Sequence, residues 1–370
     1  MSSAGRIAEI LPHIVKGKLV FDIQLKPNQK VAFRVPGGYM QADHTVTAED
    51  ISTFATFCKK DFEKAFEANG GELNCSLSVP DADVRLRIQF FRYGSENHLA
   101  AAIRVQPVSV PSPQTLGVPE NVLKWVETRQ RGLILVTGPT GHGKSTTLAA
   151  LIEHVNNTRP YHVITVEEPI EYVFTPKKAI ITQREIPTNV ASFSRALQAA
   201  KRENPQIIMI GEIRDRDTVD AAMMAADSGH LVLASSHARS AKDTLQGLLS
   251  YYSGDEVAHK AQLLASVLVG VTTQALIPAK DGSVVLASEL LHKGPSIATL
   301  IREQKWEGIP NAITTGGKSD GSRMLNDELA RLVKSGKVEK DIALHFSPDA
   351  AELEKNLGGL RAAPQMAATR

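Results

Sequence analysis

Hydrophobic and polar positions in the first hundred residues follow the short rhythms of strands. Lys18–Leu25, Lys30–Val35, Leu73–Val79, Val84–Phe91 and Leu99–Val105 alternate or run apolar, and Pro36-Gly37-Gly38 reads as a turn. Between them Ala48–Asn69 has the pattern of a helix, capped by Thr47 and stopped at Gly70-Gly71. This predicts a small α+β domain within residues 1–104. Residues 105–119 carry Pro107, Pro111, Pro113 and Pro119 and read as a stiff connector about which two domains could rotate. From Arg131 the pattern changes. The short apolar runs Leu133–Thr137, His162–Val166, Gln206–Ile210 and Leu231–Ser235 suit strands buried on both faces of a parallel sheet. Helical segments such as Ser192–Glu203 and Thr218–Asp227 fall between them, the second stopped by Gly229. Such alternation predicts an α/β domain over 120–358. Its last part, 255–346, reads as mainly helical, and the Ala- and Pro-rich tail 359–370 as disordered. There are no internal repeats.

Composition narrows this picture. A chain of 370 residues is long for one core, so two domains are expected. The net charge of +2 gives no reason to expect nucleic acid as a partner. The two cysteines, Cys58 and Cys75, form no CxxC pair, which argues against a zinc ribbon and suits a reducing compartment. Neither a signal peptide nor a membrane span is expected, so any membrane association would run through a protein partner.

The most specific chemistry lies in Gly138-Pro139-Thr140-Gly141-His142-Gly143-Lys144-Ser145, a full GxxxxGK[ST] match followed by Thr146. It follows an apolar strand and opens a helix, Ser145–Val155, which is the context a phosphate-binding loop needs. Glycines let backbone N–H groups approach phosphates, and the helix N-terminus adds its positive end. Lys144 is expected to reach the terminal phosphates of ATP and Ser145 to ligate Mg²⁺. A fortuitous Gly-rich turn would not put strand, loop and helix in register.

Two acidic groups follow other strands. Glu212 ends Ile207-Ile208-Met209-Ile210-Gly211-Glu212 and is expected near the metal, in place of the more usual aspartate. Glu167, in Val166-Glu167-Glu168-Pro169-Ile170-Glu171, is the candidate base that orients water at the γ-phosphate. Spacing alone does not separate it from Glu168, and surface glutamates are common in such loops. His230 and His237 bracket a further strand; their separation of seven and the lack of a third ligand argue against zinc.

Together these residues resemble the secretion-ATPase superfamily, and within it the pilus-retraction, PilT-like branch, over roughly residues 30–356. The resemblance implies a PAS-like N-terminal domain and a RecA-like ATPase domain with helical C-terminal additions. It also implies homo-hexameric rings at the cytoplasmic base of a type IV pilus machine, peripheral to the inner membrane through a platform protein. The family's T-I-E-D-P-I-E box is matched by Thr165-Val166-Glu167-Glu168-Pro169-Ile170-Glu171, which maps the family's catalytic glutamate onto Glu167. Gly211-Glu212-Ile213-Arg214-Asp215 matches the second nucleotide motif, although Asn204-Pro205-Gln206 stands where D-P-D is usual. The histidine box keeps His230 and His237 but ends Ser235-Ser236-His237-Ala238, and the resemblance implies γ-phosphate sensing there. Arg184 and Arg202, with Arg92 and Arg104 as further candidates, would act across subunits. Gly294-Pro295-Ser296-Ile297-Ala298-Thr299-Leu300-Ile301-Arg302-Glu303 resembles the retraction signature A-I-R-N-L-I-R-E, with Ala298 and Thr299 replacing arginine and asparagine. A diverged retraction-type paralogue is therefore expected. An assembly-direction ATPase would need a four-cysteine module that two cysteines cannot supply. The altered boxes leave one alternative: an accessory nucleotide-binding ring that hydrolyses little and couples to a paralogous motor ATPase. A nucleic-acid translocase is disfavoured by the charge balance.

Overall fold

The computed structural model describes residues 5–17, 20–35 and 38–358. The chain divides into two compact units between Ser109 and Val110.

The first unit runs α1 (Gly5–Val15), β1 (Asp22–Leu25), β2 (Gln29–Val35), β3 (Gly38–Val46), α2 (Ala48–Cys58), α3 (Phe62–Ala68), β4 (Glu72–Val79), β5 (Val84–Tyr93) and β6 (His98–Pro107). Its six strands form one antiparallel sheet in the order β3-β2-β1-β6-β5-β4. Alternate residues of the strands, such as Leu86, Ile88 and Phe90 of β5, face one core with Ile7, Leu11, Ile51 and Phe54 of the helices. The single helix expected over 48–69 is two. Lys59 is extended, and the break turns Phe62 and Phe66 into an aromatic cluster with Phe54 and Phe90, the Phe62–Phe90 centroids lying 5.1 Å apart. The cap at Thr47 is a reciprocal one. Its hydroxyl accepts from the Asp50 N–H at 3.1 Å, and the Asp50 carboxylate accepts from the Thr47 N–H at 2.8 Å. Thr47→Ala is expected to lower the stability of the protein by about 1 kcal/mol in a denaturant titration.

Strand β6 continues through Pro107, paired with Val84, so the expected connector begins later than residue 105. Its second half is not a free spacer, since Val118 is buried in the second unit's core and Val110 and Leu116 pack against it. The expected turn at Pro36-Gly37-Gly38 and the tail 359–370 lie largely or wholly outside the described residues.

The second unit runs α4 (Glu120–Thr128), β7 (Gly132–Thr137), α5 (Lys144–Thr158), β8 (His162–Glu167), β9 (Ile180–Glu185), α6 (Phe193–Ala200), β10 (Ile207–Ile210), α7 (Arg216–Asp227), β11 (Leu231–Ser236), α8 (Ala241–Leu249) and α9 (Asp255–Val267). Then follow β12 (Leu268–Pro278), β13 (Val284–His292), α10 (Pro295–Arg302), α11 (Ile309–Asp320), α12 (Leu325–Lys334), α13 (Lys340–Phe346) and α14 (Ala350–Asn356). The sheet order is β13-β12-β7-β11-β10-β8-β9, parallel throughout except for β13. Leu133, Leu135, Ile208, Ile210 and Val232 face one helical layer, and Ile134, Val136, Met209 and Leu233 face the other. Burial on both faces explains why these strands are continuously apolar. Residues 255–346 are helical over somewhat more than half their length, but β12 and β13 form a long buried hairpin inside this segment that the helical reading does not foresee. The parallel strands bring the ends of β7, β8, β10 and β11 to one carboxyl edge, where open α/β sheets place their ligands.

Candidate functional site

The phosphate loop leaves β7 at Gly138, whose φ is +143°, and a Cβ there would sit 2.4 Å from the Gln274 carbonyl oxygen of β12. Only glycine fits that approach. Gly143, at φ +79°, turns the chain into α5. Pro139, Thr140 and Gly141 are exposed, while Ser145 and Thr146 are half-buried in the first turn of α5. His142 is held against β12: its carbonyl accepts from Gln274 Nε2 at 2.7 Å, and its Nδ1 accepts from the Leu276 N–H at 3.3 Å. Burial and the neighbouring Lys144 lower the His142 pKa.

Lys144 is buried, and its Nζ donates to the carbonyls of Gly138 (2.9 Å) and Pro139 (3.0 Å) and meets His237 Nδ1 at 3.3 Å. His237 Nε2 lies 2.7 Å from Glu212, so a neutral ring donating to that carboxylate presents Nδ1 as the acceptor for Lys144. Burial lowers the Lys144 pKa against the pull of Glu212 and Glu171. Glu212 also accepts from Arg214, at 2.6 Å from Nη2, and Arg214 reaches Glu168 at 3.2 Å. Loop lysine, histidine and glutamate thus form one chain across the ends of β7, β11 and β10.

Glu167 ends β8 and is buried. It accepts from Thr165 Oγ1 (2.7 Å), Gln183 Nε2 (3.2 Å) and the Glu171 N–H (3.4 Å). Burial raises its pKa in spite of these bonds. Glu168 points the other way, half-exposed and paired with Arg214. Thr146 Oγ1 meets the Tyr172 hydroxyl at 3.1 Å. The structure therefore brings Lys144, Glu212 and His237 into contact and sets Glu167 on the same sheet edge.

His230 is not part of this arrangement. It precedes β11, at the opposite end of the sheet, buried with Nδ1 against the Pro205 carbonyl at 2.8 Å. The six residues of β11 separate it from His237 by about 20 Å at the rise of an extended strand. Its position is a packing one, and of the two histidines only His237 meets Lys144. Arg184 bonds Glu203 at 2.5 Å within its own unit, and Arg202 is exposed just beyond α6. In the first unit Arg92 pairs with Glu67 and Arg104 with Asp22. Thr165, Gln183 and Tyr172 were not singled out in the sequence. Thr165 stands two residues before Glu167 on the same strand face, which is a readable signal, whereas Gln183 is brought in only by the pairing of β9 with β8.

A family profile described as Type II/IV secretion system protein matches residues 23–305. The chain belongs to this family. Within the secretion ATPases it is PilT-like. It is 40% identical over 286 residues to the type IV pilus retraction ATPase PilT of Pseudomonas aeruginosa, covering 77% of this chain and 80% of that one. It is 36% identical over 299 residues to a twitching motility protein of Neisseria gonorrhoeae, covering 80% and 79%. The crystal structure of the pilus retraction motor PilT with bound ADP matches at a TM-score of 0.81 and 35% identity, covering 95% of this chain and 99% of that one. The α/β fold with its two sheets is thus shared with a solved member of the PilT-like secretion ATPases.

Proposed function

We propose that this chain is an ATP-hydrolysing motor that drives pilus retraction, or a related secretion machine, as a homo-hexameric ring. The observation that carries the reading is the buried Lys144, held inside a glycine loop by carbonyls and His237 while Glu212 and Glu167 stand on the same sheet edge. A buried ammonium held by neutral acceptors suits a site for anionic phosphates. We read the second unit as RecA-like and the first as PAS-like.

Ser145 and Glu212 offer hard oxygen donors of the kind Mg²⁺ takes, so the residues fit that ion. When bound it would neutralise charge on the phosphates. The chain's own groups do the rest. Loop N–H groups and Lys144 bind and orient the terminal phosphates. Glu167, held by Thr165, Gln183 and the Glu171 amide, accepts a proton from the attacking water, and its raised pKa makes it a stronger base than an exposed glutamate. His237 reports the state of Lys144 to Glu212 and to the chain leading into α8. Arg184 and Arg202, or Arg92 and Arg104, would serve a neighbouring subunit after exchanging their present partners. No helix among the described residues is long and apolar enough to cross a membrane. We place the ring at the cytoplasmic face of the inner membrane, held there by a platform protein.

Cells lacking the chromosomal copy test the motor role. Pilus retraction is expected to return with the wild-type chain and not with Glu167→Gln. If both restore it equally, the chain serves as an accessory ring beside a paralogous motor. In solution the wild type at micromolar concentration with nucleotide is expected to have the mass of six subunits, and a monomer under those conditions contradicts the ring.

A further inference from the structure

Glu289 is a buried carboxylate that this chemistry leaves unused. It lies in β13 opposite Thr273 of β12 and is 3% exposed. Its Oε1 accepts from the N–H of Ala241, the first residue of α8, at 2.6 Å. Next to it in β13, Leu290 and Arg323 exchange backbone bonds at 2.8 Å, which sets the start of α12 beside this carboxylate, where the Leu325 N–H favours its charged form. First-turn amides have no acceptor within their own helix. Ser240 caps α8 through the Asp243 N–H and leaves that of Ala241 free, and Met324 caps α12 with no side-chain bond. One carboxylate therefore lies beside two helix N-termini, bonded to that of α8, and both dipoles favour its charge. Among the described residues no cation is paired with it.

Only Ala238, Arg239 and Ser240 separate His237 from Ala241. Thr244, in the first turn of α8, donates to Thr137 Oγ1 at 3.2 Å, and Thr137 meets Thr273 at 2.8 Å. Thr137 immediately precedes the phosphate loop. Two routes thus join Glu289 to the nucleotide site: through Ala241 to His237 and Lys144, and through Thr273 to Thr137. On its other side α12 packs with α13 and α14 in a separate core of Leu329, Leu332, Val338, Ala343 and Leu353.

We propose that Glu289 is a positioning residue that fixes the His237–Ala241 segment against Lys144 and ties it to α12, so that a shift of the C-terminal helices is felt at the nucleotide site. The inference rests on the ATPase reading given above. Burial, joined by the nearby Asp243, raises the Glu289 pKa, while the two amides oppose that rise, which is the balance expected of a charge held by peptide dipoles alone.

The test uses the full-length ring and four variants: Glu289→Gln, His237→Ala, the two combined, and Leu325→Pro. Glutamine keeps the shape and one acceptor but turns the other towards an N–H as a donor. Proline suits the first position of a helix and removes the Leu325 donor along with part of that side chain's packing, and Met324 already has the extended ψ of 156° that proline requires of its predecessor. Amide hydrogen exchange is expected to quicken in Glu289→Gln at both 238–245 and 323–328, with β7 and β10 unchanged. The kcat for ATP is expected to fall about tenfold, the equivalent of one hydrogen bond, with KM little altered. In the His237→Ala background Glu289→Gln should add almost nothing, because the two act through one path. Leu325→Pro should lower kcat in the same direction. An equal loss of kcat in both backgrounds, or unchanged kcat in Leu325→Pro, would overturn the proposal. If the wild type itself releases no phosphate, the ATPase reading fails, and the exchange of the two segments alone decides whether the tether exists.

Discussion

Lys144→Ala is expected to abolish ATP turnover and weaken nucleotide binding by about 10²–10³-fold, the cost of losing a placed charge donor. Among the described residues, neither Arg214 nor His142 is free to take over. Arg214 is committed to Glu212 and Glu168. His142 is held neutral by burial and by Lys144 itself, and its ring serves the Leu276 amide. The fold should tolerate the change, because the substitution deletes a buried ammonium rather than stranding one. A nucleotide-binding titration beside a thermal melt checks this. Unchanged affinity with a normal melt would mean that phosphates bind elsewhere.

Glu167→Gln is expected to lower turnover about 10²–10⁴-fold while nucleotide still binds. Glutamine keeps the acceptor that Thr165 and Gln183 need, so the loss reports the base and not the packing. The pH dependence gives an independent reading. A base must be ionised to act, and burial lifts the Glu167 pKa above its usual 4.5. Activity of the wild type should therefore be present above the raised value and fall away as pH drops through it, earlier than for an exposed glutamate. Rates of wild type and Glu167→Gln across the acidic range check this, since the variant should lack that limb. If Glu167→Gln keeps full activity, Glu171, whose N–H bonds Glu167, becomes the candidate base; Glu168 is occupied by Arg214.

The site was more legible in the sequence than the periphery of the fold. The loop motif and the strand ends at Glu167 and Glu212 were readable because each is local: an apolar run ending in a small set of chemical groups. His237 was readable as part of a box, but His230 was grouped with it, because a motif string does not say that a strand separates its two ends. That Glu167 turns inward to Thr165 and Gln183 while Glu168 turns out to Arg214 is not readable from spacing, which treats the two alike. The β12–β13 hairpin is hard to tell from helix in the sequence because β12 is buried almost throughout and so carries no alternation. Its β-branched Val269, Val271, Thr272 and Thr273, with the turn at Asp281-Gly282, were the signals that favoured strands. Helix α1 does carry a readable signal, since Ile7, Ile10, Leu11 and Ile14 repeat at helical spacing. Strand β3 was missed because it is an exposed edge, with one buried residue in nine, so burial left no pattern to read. Glu289 has no motif at all. Its role follows from three elements meeting at one carboxylate, which only the tertiary fold brings together.

Mg²⁺-dependent phosphate release from the wild type, measured beside Lys144→Ala under conditions that favour assembly, decides whether this chain is a motor. The two proteins differ only in the Lys144 side chain, so the difference between them isolates the nucleotide site. Steady release by the wild type is expected, lost on removal of Mg²⁺, with no release above background by Lys144→Ala. Wild-type release no greater than that of Lys144→Ala would contradict the motor reading, and would leave the chain a nucleotide-binding ring that moves only with a second motor.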